Sequence, residues 1–74
     1  MTHVIEIGKS GKYALENHGT YWAICEVSED TPRHVYHCGK ESYVRSRWNS
    51  YYKNVMYRPI AGGPRWFTEA YFEN

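Results

Sequence analysis

A stretch in the middle of the chain combines the two kinds of side chain that proteins use to hold nucleic acids. The segment GKESYVRSRWNSYYKN, residues 39–54, carries four basic and four aromatic residues. Basic side chains neutralise phosphates, and aromatic rings stack on bases. The same composition also suits an amphipathic helix whose rings fill a core. The positions of the rings on the helix decide between these two interpretations.

The apolar residues of this segment recur at helical spacing, which predicts an amphipathic helix over residues 41–54. Its stripe lies within roughly 40° on an ideal helix and consists of Val44, Trp48, Tyr51 and Val55. We therefore expect these four side chains to face a core. Arg45 and Lys53 point away from the stripe. Arg47 lies at its edge, where the stem can pack while the guanidinium reaches a cleft.

Two other constellations match known site chemistry less well. The GKS sequence at residues 8–10 resembles the end of a phosphate-binding loop, but His3 stands where that loop needs its first glycine. A turn between strands is the simpler interpretation. Four residues have the types found at zinc sites: Cys25, His34, His37 and Cys38. Alternation along one strand would point the two histidines to opposite faces, so this set is poorly spaced for a metal.

Four pieces of the sequence occur in an order that resembles the GIY-YIG nuclease superfamily. They are GTY at 19–21, VYHCG at 35–39, RSRWNSYY at 45–52 and FTEAYF at 67–72. In that superfamily a Gly-x-Tyr begins one strand of a hairpin and a Tyr-x-Gly ends the other. A helix then presents an Arg followed four residues later by His or Tyr, and a later Glu binds one divalent metal ion. The resemblance covers about residues 19–72.

The resemblance implies catalytic roles for five residues: Tyr21, His37, Arg47, Tyr51 and Glu69. Gly39 matches the glycine of the second motif. The tyrosine of that motif is replaced by His37, or else Tyr36 serves through a one-residue bulge. Glu69 is the implied ligand of Mg²⁺ or Mn²⁺. The family likeness thus predicts an endonuclease that cleaves DNA phosphodiesters, or a degenerate copy that keeps the fold and has lost the metal.

The chemistry that the resemblance implies is coherent for a phosphodiester. A metal ion on Glu69 would polarise the phosphate and stabilise the leaving oxygen. Arg47 would donate a forked pair of hydrogen bonds to the non-bridging oxygens. Tyr21 would act as general base or position the water. Four further basic residues would hold the DNA backbone without reading its sequence: Arg45, Lys53, Arg58 and Arg65.

The elements that must position these residues form a small α+β domain spanning residues 1–74. THVIEI predicts a first strand, and KYALEN is a weaker strand candidate. TYWAICEV and HVYHC predict a central hairpin over about residues 20–38. The helix over 41–54 then lies on the antiparallel sheet. We expect a loop over YRPIAGGPR and a short final element near RWFTEAYF, preferably helical, with a strand as the alternative.

Composition leaves two further classes of function open. Net charge is +1, with −3 over residues 1–32 and +4 over residues 33–74, so the second part could face phosphates. An aromatic share of 18% with an acidic front part also suits a protein-binding module, such as a small viral-type inhibitor of a host enzyme. A nucleic-acid binder without chemistry is the third candidate.

The sequence shows neither a secretory leader nor an apolar run long enough for a membrane span, which predicts a cytoplasmic protein without membrane contacts. In that compartment Cys25 and Cys38 should be reduced thiols. Their positions on the two strands of the predicted hairpin would also allow a disulfide in an oxidising compartment.

Overall fold

The computed structural model describes residues 2–28, 32–64 and 67–73 of the 74-residue chain. Six strands and one helix follow one another along this part of the chain. In chain order they are β1 (His3–Ile7), β2 (Tyr13–Asn17), β3 (Trp22–Glu26), β4 (Val35–Gly39), α1 (Glu41–Arg47) continued by a π-helical segment (Trp48–Tyr52), β5 (Val55–Pro59) and β6 (Thr68–Phe72).

The strands form two antiparallel sheets. The first is a four-stranded meander in the order β1-β2-β3-β4, and the second contains only β5 and β6. The predicted central hairpin is the β3–β4 pair, and β1 and β2 extend it on one side. The helix lies on one face of the larger sheet. The predicted α+β fold class is therefore confirmed.

The core lies between the helix and the inner face of the four-stranded sheet. Leu15 and Ile24 face each other across β2 and β3 and contact Val44 and Trp48 of the helix. Four partly buried aromatic residues surround this cluster: Tyr13, Trp22, Tyr36 and Tyr52. Alternation along the strands places Leu15 and Ile24 on this face, so their neighbours in sequence point to the opposite face.

The helix changes register at Trp48, and this corrects one part of the predicted stripe. The backbone N–H of Lys53 donates to the carbonyl of Trp48, five residues earlier, as in a π-helix. The wider turn brings Tyr52 over the core and leaves Tyr51 54% exposed. Val44, Trp48 and Val55 are buried as predicted, but Tyr51 is not, and Val55 belongs to β5 rather than to the helix.

The last part of the chain forms a β-hairpin in place of the preferred helix. Val55 pairs with Phe72 and Pro59 pairs with Thr68, so the predicted final helix is wrong over residues 68–72. A strand was the alternative. The predicted loop is wrong over residues 57–59, which belong to β5, and right over residues 60–64, which connect the two strands. Pro59 ends β5, where its missing N–H removes no ladder bond from the strand interior.

The GKS sequence forms the connection between β1 and β2, which confirms the prediction of a turn. The N–H of Gly8 donates to Tyr13, and the N–H of Gly11 donates back to Gly8. A Cβ at Gly8 would lie 2.9 Å from the carbonyl oxygen of Tyr52, so the glycine lets the turn approach the end of the helix. None of the described helices is long and apolar enough to cross a lipid bilayer.

Candidate functional site

Tyr21 lies immediately before β3 at the end of the β2–β3 turn. Its ring is exposed and stacks on the imidazole of His18, with the ring centres 4.7 Å apart and the planes 2° from parallel. The backbone N–H of His18 donates to the carbonyl of Tyr21 and closes the turn. The described partners of Tyr21 are therefore local.

His37 lies on β4 and faces the helix. Its Nδ1 is 3.2 Å from the hydroxyl of Tyr43, and its Nε2 is 3.0 Å from the hydroxyl of Tyr52. Both ring nitrogens are thus engaged by helix tyrosines. These contacts tie the helix to the sheet.

Arg47 lies on the outer side of the helix between two exposed tyrosines. Its guanidinium carbon is 5.5 Å from the ring centre of Tyr43 and 5.8 Å from that of Tyr51. The two rings are 40% and 54% exposed. Arg47 forms no ion pair with any described residue, whereas the other described arginines each bind a carboxylate: Arg33, Arg45 and Arg58. We call Tyr43, Arg47 and Tyr51 the helix patch.

Glu69 lies on β6, directly opposite Arg58 on β5. The Nε of Arg58 donates to Oε1 of Glu69 at 2.7 Å, and both side chains are largely exposed. The guanidinium of Arg58 also lies 4.9 Å from the ring centre of Tyr71. The Glu69 carboxylate is thus neutralised by the guanidinium of Arg58. Its role as a ligand of Mg²⁺ or Mn²⁺ stays a prediction.

The residues predicted to hold a DNA backbone are mostly engaged by acids. Nε of Arg45 is 2.7 Å from a carboxylate oxygen of Glu41, and its guanidinium lies over the Trp22 ring. The ammonium of Lys53 is 3.8 Å from Glu6. Arg58 binds Glu69 as described above. The fourth nominated residue, Arg65, lies outside the described residues.

The structure thus brings together only part of the predicted nuclease site. Arg47 contacts Tyr51 directly and approaches His37 through Tyr43. Across the described part of the chain, no hydrogen bond, ion pair or ring contact joins this group to Tyr21 or Glu69.

A polar network on the outer face of the four-stranded sheet was missed by sequence reasoning. Glu16 on β2 is 0% exposed. Arg33 binds it with two parallel hydrogen bonds, Nη1 to Oε2 at 2.8 Å and Nη2 to Oε1 at 3.0 Å. Nε2 of His18 is 2.9 Å from Oε1 of Glu16, and Nδ1 of His18 is 3.0 Å from the Thr2 hydroxyl.

The ionisation of Glu16 depends on these partners. Burial alone would raise its pKa, but the hydrogen bonds and charge of Arg33, aided by His18, hold the pKa of this carboxyl below its usual value. Arg33 in turn has a raised pKa because Glu16 accepts its hydrogen bonds. The network is therefore an ion pair that excludes water from the carboxylate.

Cys25 adds a thiol to the same face. Glu16, His18 and Cys25 offer an oxygen, a nitrogen and a sulfur that all lie within 4.8 Å of one another. Burial, reinforced by the Glu16 charge, raises the pKa of the Cys25 thiol to about 11, so the thiol is protonated at neutral pH. Cys25 and Cys38 are both free thiols, the first buried and the second exposed.

The sequence held one signal for this network. Glu16 lies in the KYALEN strand candidate and His18 directly follows it, and side chains two residues apart in an extended chain share one face. The signal was weak because glutamate is rarely fully buried. The poorly spaced zinc set is also explained, since His37 faces the helix while Cys25 lies on the outer face of the sheet.

In comparisons with known proteins, no family model matches the sequence, and no curated protein or solved structure is significantly similar to it.

Proposed function

We propose that the chain is a non-catalytic protein-binding module that docks through the helix patch of Tyr43, Arg47 and Tyr51. The observation that carries this proposal is the surroundings of Arg47, which lies between two exposed rings and forms no ion pair with a described residue. Tyrosine and arginine are the residues most enriched in the energetic centres of protein interfaces.

The helix patch is prepared for binding in two ways. Tyr43 is fixed at its hydroxyl by His37, so part of its side-chain freedom is already lost before a partner arrives. The two rings flank the guanidinium and present apolar surface on either side of it, which a partner can cover when it binds. A partner therefore meets a rigid surface with one unsatisfied charge.

The distribution of charge favours a protein over a nucleic acid as the partner. Binding to a phosphate backbone requires several cations that are free to displace counterions. Three of the four residues predicted to contact phosphates are instead paired with acids: Arg45, Lys53 and Arg58. One free arginine between two rings suits a single carboxylate of a protein flanked by apolar side chains.

The nuclease hypothesis remains the alternative that the test must address. The arginine and the acid that it requires, Arg47 and Glu69, share no contact, and Glu69 is bound to Arg58. A plasmid incubated with the protein and Mg²⁺, Mn²⁺ or EDTA measures this activity directly. Metal-dependent nicking that is lost in both Arg47→Ala and Glu69→Gln would replace the proposal with an enzyme.

The proposal itself is tested by capture of a partner with matched variants. The immobilised protein is exposed to a lysate of the source organism beside the double variant Tyr51→Ser/Arg47→Ala and the control variant Phe72→Ser. Phe72 is an exposed ring on the other sheet, so the control removes a similar surface away from the patch. We expect one stoichiometric partner on the wild type and on the control, and its loss from the double variant.

Two outcomes would overturn the proposal. A partner that is retained by the double variant does not bind through the helix patch. A labelled oligonucleotide that binds the wild type, weakens steeply with salt and is released by Arg47→Ala would instead identify a phosphate-driven interface. Circular dichroism of each variant shows whether it has folded before the capture is interpreted.

A further inference from the structure

We propose that Glu16, His18 and Cys25 form a binding site for a zinc-type transition-metal ion on the outer face of the four-stranded sheet. This proposal is independent of the helix patch, because the helix covers the opposite face of that sheet. It also differs from the magnesium site implied by the nuclease resemblance, which would use Glu69.

The three donor atoms come from neighbouring strands and already lie close together. Glu16 and His18 belong to β2 and the residue that follows its end, and Cys25 belongs to β3. All three donors lie within 4.8 Å of one another, and His18 Nε2 is 2.9 Å from Glu16 Oε1. Zinc holds oxygen, nitrogen and sulfur at about 2.0–2.3 Å, so the set must contract by on the order of 1 Å.

The donor types select the class of metal. A thiolate and an imidazole favour zinc and related transition metals over magnesium or calcium, which prefer oxygen ligands. Three protein ligands leave one position of a tetrahedral ion open to water or a further ligand. The side chain of His18 is 17% exposed, which provides a path from solvent to the buried pair behind it.

The groups around the donors resemble the outer shell that metal ligands need. The Thr2 hydroxyl bonds Nδ1 of His18 and so orients Nε2 toward the carboxylate. Arg33 holds the Glu16 carboxylate in a fixed plane. Its positive charge opposes the ion: the carboxylate and a Cys25 thiolate supply two negative charges against the two of the metal and the one of Arg33, so the loaded site carries a net charge of about +1. Arg33 therefore lowers the affinity without closing the site.

Binding requires a change of protonation that can be measured. The Cys25 thiol must lose its proton to form a sulfur–metal bond, and that proton passes to the buffer. His18 Nε2 also gives up the proton that it donates to Glu16: in a neutral imidazole this proton moves to Nδ1, and in an imidazolium it passes to the buffer. Metal binding should thus acidify a weakly buffered solution by one or two protons per ion.

Titration with Co²⁺ in the presence of a non-thiol reductant tests the site on the whole chain. Tetrahedral cobalt bound to a thiolate gives an ultraviolet charge-transfer band and visible ligand-field bands. We expect these bands to saturate at one ion per chain, and Zn²⁺ to bleach them by displacement. Zinc should also raise the unfolding temperature of the wild-type protein, since it binds the folded state.

Two cysteine variants assign the sulfur ligand. Cys25→Ser should lose the charge-transfer band, whereas Cys38→Ser removes the other, exposed thiol and should leave it intact. Thr2→Val keeps all three ligands but removes the partner of His18 Nδ1, and we expect it to weaken zinc binding by about tenfold or more.

The wild-type titration alone can overturn the proposal, whether or not the variants fold. Absence of a charge-transfer band at saturating Co²⁺ would exclude the site. A band that is lost in Cys38→Ser, or that saturates at one ion for two chains, would assign the metal to exposed thiols of separate molecules.

Discussion

The two sheets of this protein each hold a glutamate bound to an arginine, but in opposite surroundings. Glu16 is fully buried and accepts two hydrogen bonds from Arg33. Glu69 is half exposed and accepts one from Arg58. Water can replace Arg58 at little cost, whereas the Glu16 carboxylate is shielded from water and relies on the two hydrogen bonds of Arg33 for its charge. The same pair of residue types therefore constrains the four-stranded sheet and contributes little to the two-stranded one.

The difference follows from the layers of the fold. The four-stranded sheet is covered by the helix on one face and by the side chain of Arg33 on part of the other. A two-stranded sheet has too little apolar surface to be stable alone. In this chain it is held at its base, where Val55 is buried and the Tyr57 hydroxyl hydrogen-bonds that of Tyr13.

The largest effect that separates the two regions is expected from Trp48→Ala. Trp48 is fully buried between helix and sheet, and its Nε1 donates to Glu6 at 2.5 Å. Its removal should lower the free energy of unfolding by about 3–5 kcal/mol. Phe72→Ala on the two-stranded sheet removes a ring that is mostly exposed and should cost less than about 1 kcal/mol.

Urea denaturation of both variants measures this difference. Trp48→Phe provides a milder change if the alanine variant does not fold, because it keeps a ring in the core. Equal losses from Trp48→Ala and Phe72→Ala would show that the two sheets share one core, contrary to the observed burial.

The second effect comes from breaking the buried ion pair. Arg33→Met leaves the Glu16 carboxylate without its main partner, and we expect a loss of about 3 kcal/mol in unfolding free energy. The double variant Glu16→Leu/Arg33→Met removes both charges and should be much closer to the wild type, because no buried charge remains. Thermal unfolding of the wild type, Glu16→Leu, Arg33→Met and the double variant gives the coupling energy. A double variant as unstable as the sum of the single variants would mean that the two residues act independently.

The parts of the fold that the sequence predicts are those with a strong local pattern of apolar residues. The β3–β4 hairpin and the helix have strong local patterns, alternating in one case and helical in the other, and both were predicted. The π-helical turn has no such pattern, because it depends on how Tyr52 packs on the sheet. Tyr51 was therefore assigned to the core and is exposed.

The final strand and the two glutamates show a different limit. The residues of β6 fit a helix and a strand almost equally well, and only pairing with β5 decides between them. Glu69 is predicted to bind a metal only because it follows the other three motifs in the order of the GIY-YIG superfamily. Nothing in its neighbouring residues distinguishes it from a surface acid. No role is predicted for Glu16 from the sequence, because its burial depends on Arg33, which lies 17 positions later in the sequence.

A third effect is a loss of unfolding free energy in alkaline solution, and it should come from tyrosines on the helix-covered face, with a smaller contribution from each than the effects above. Burial raises the pKa of Tyr13, with a further contribution from the Tyr57 hydroxyl, and burial likewise raises the pKa of Tyr36 and Tyr52. In the unfolded chain these phenols lose their protons near pH 10. Their contribution to stability is thus complete below pH 10 and is lost as the pH rises through the folded-state values.

Each tyrosine that stays protonated in the folded protein should lower the free energy of unfolding by about 1.4 kcal/mol between pH 9 and pH 11. Urea unfolding at the two pH values, with tyrosinate absorbance as a second probe, measures the slope. Tyr13→Phe removes one of the three contributions and should reduce the slope accordingly. A slope that is unchanged in this variant would assign the alkaline loss to other groups.

The smallest effect is expected at the exposed pair of the two-stranded sheet. Glu69→Gln keeps the size of the side chain and removes the charge that Arg58 contacts. It should lower the free energy of unfolding by less than about 1 kcal/mol, and high salt should reduce the difference between the variant and the wild type. Arg58 retains the Tyr71 ring as a partner, which limits the loss further. A loss comparable to that of Arg33→Met would mean that Glu69 is as essential to its sheet as Glu16 is. That result would give Glu69 a structural role beyond its contact with Arg58, because an exposed ion pair contributes at most about 1 kcal/mol.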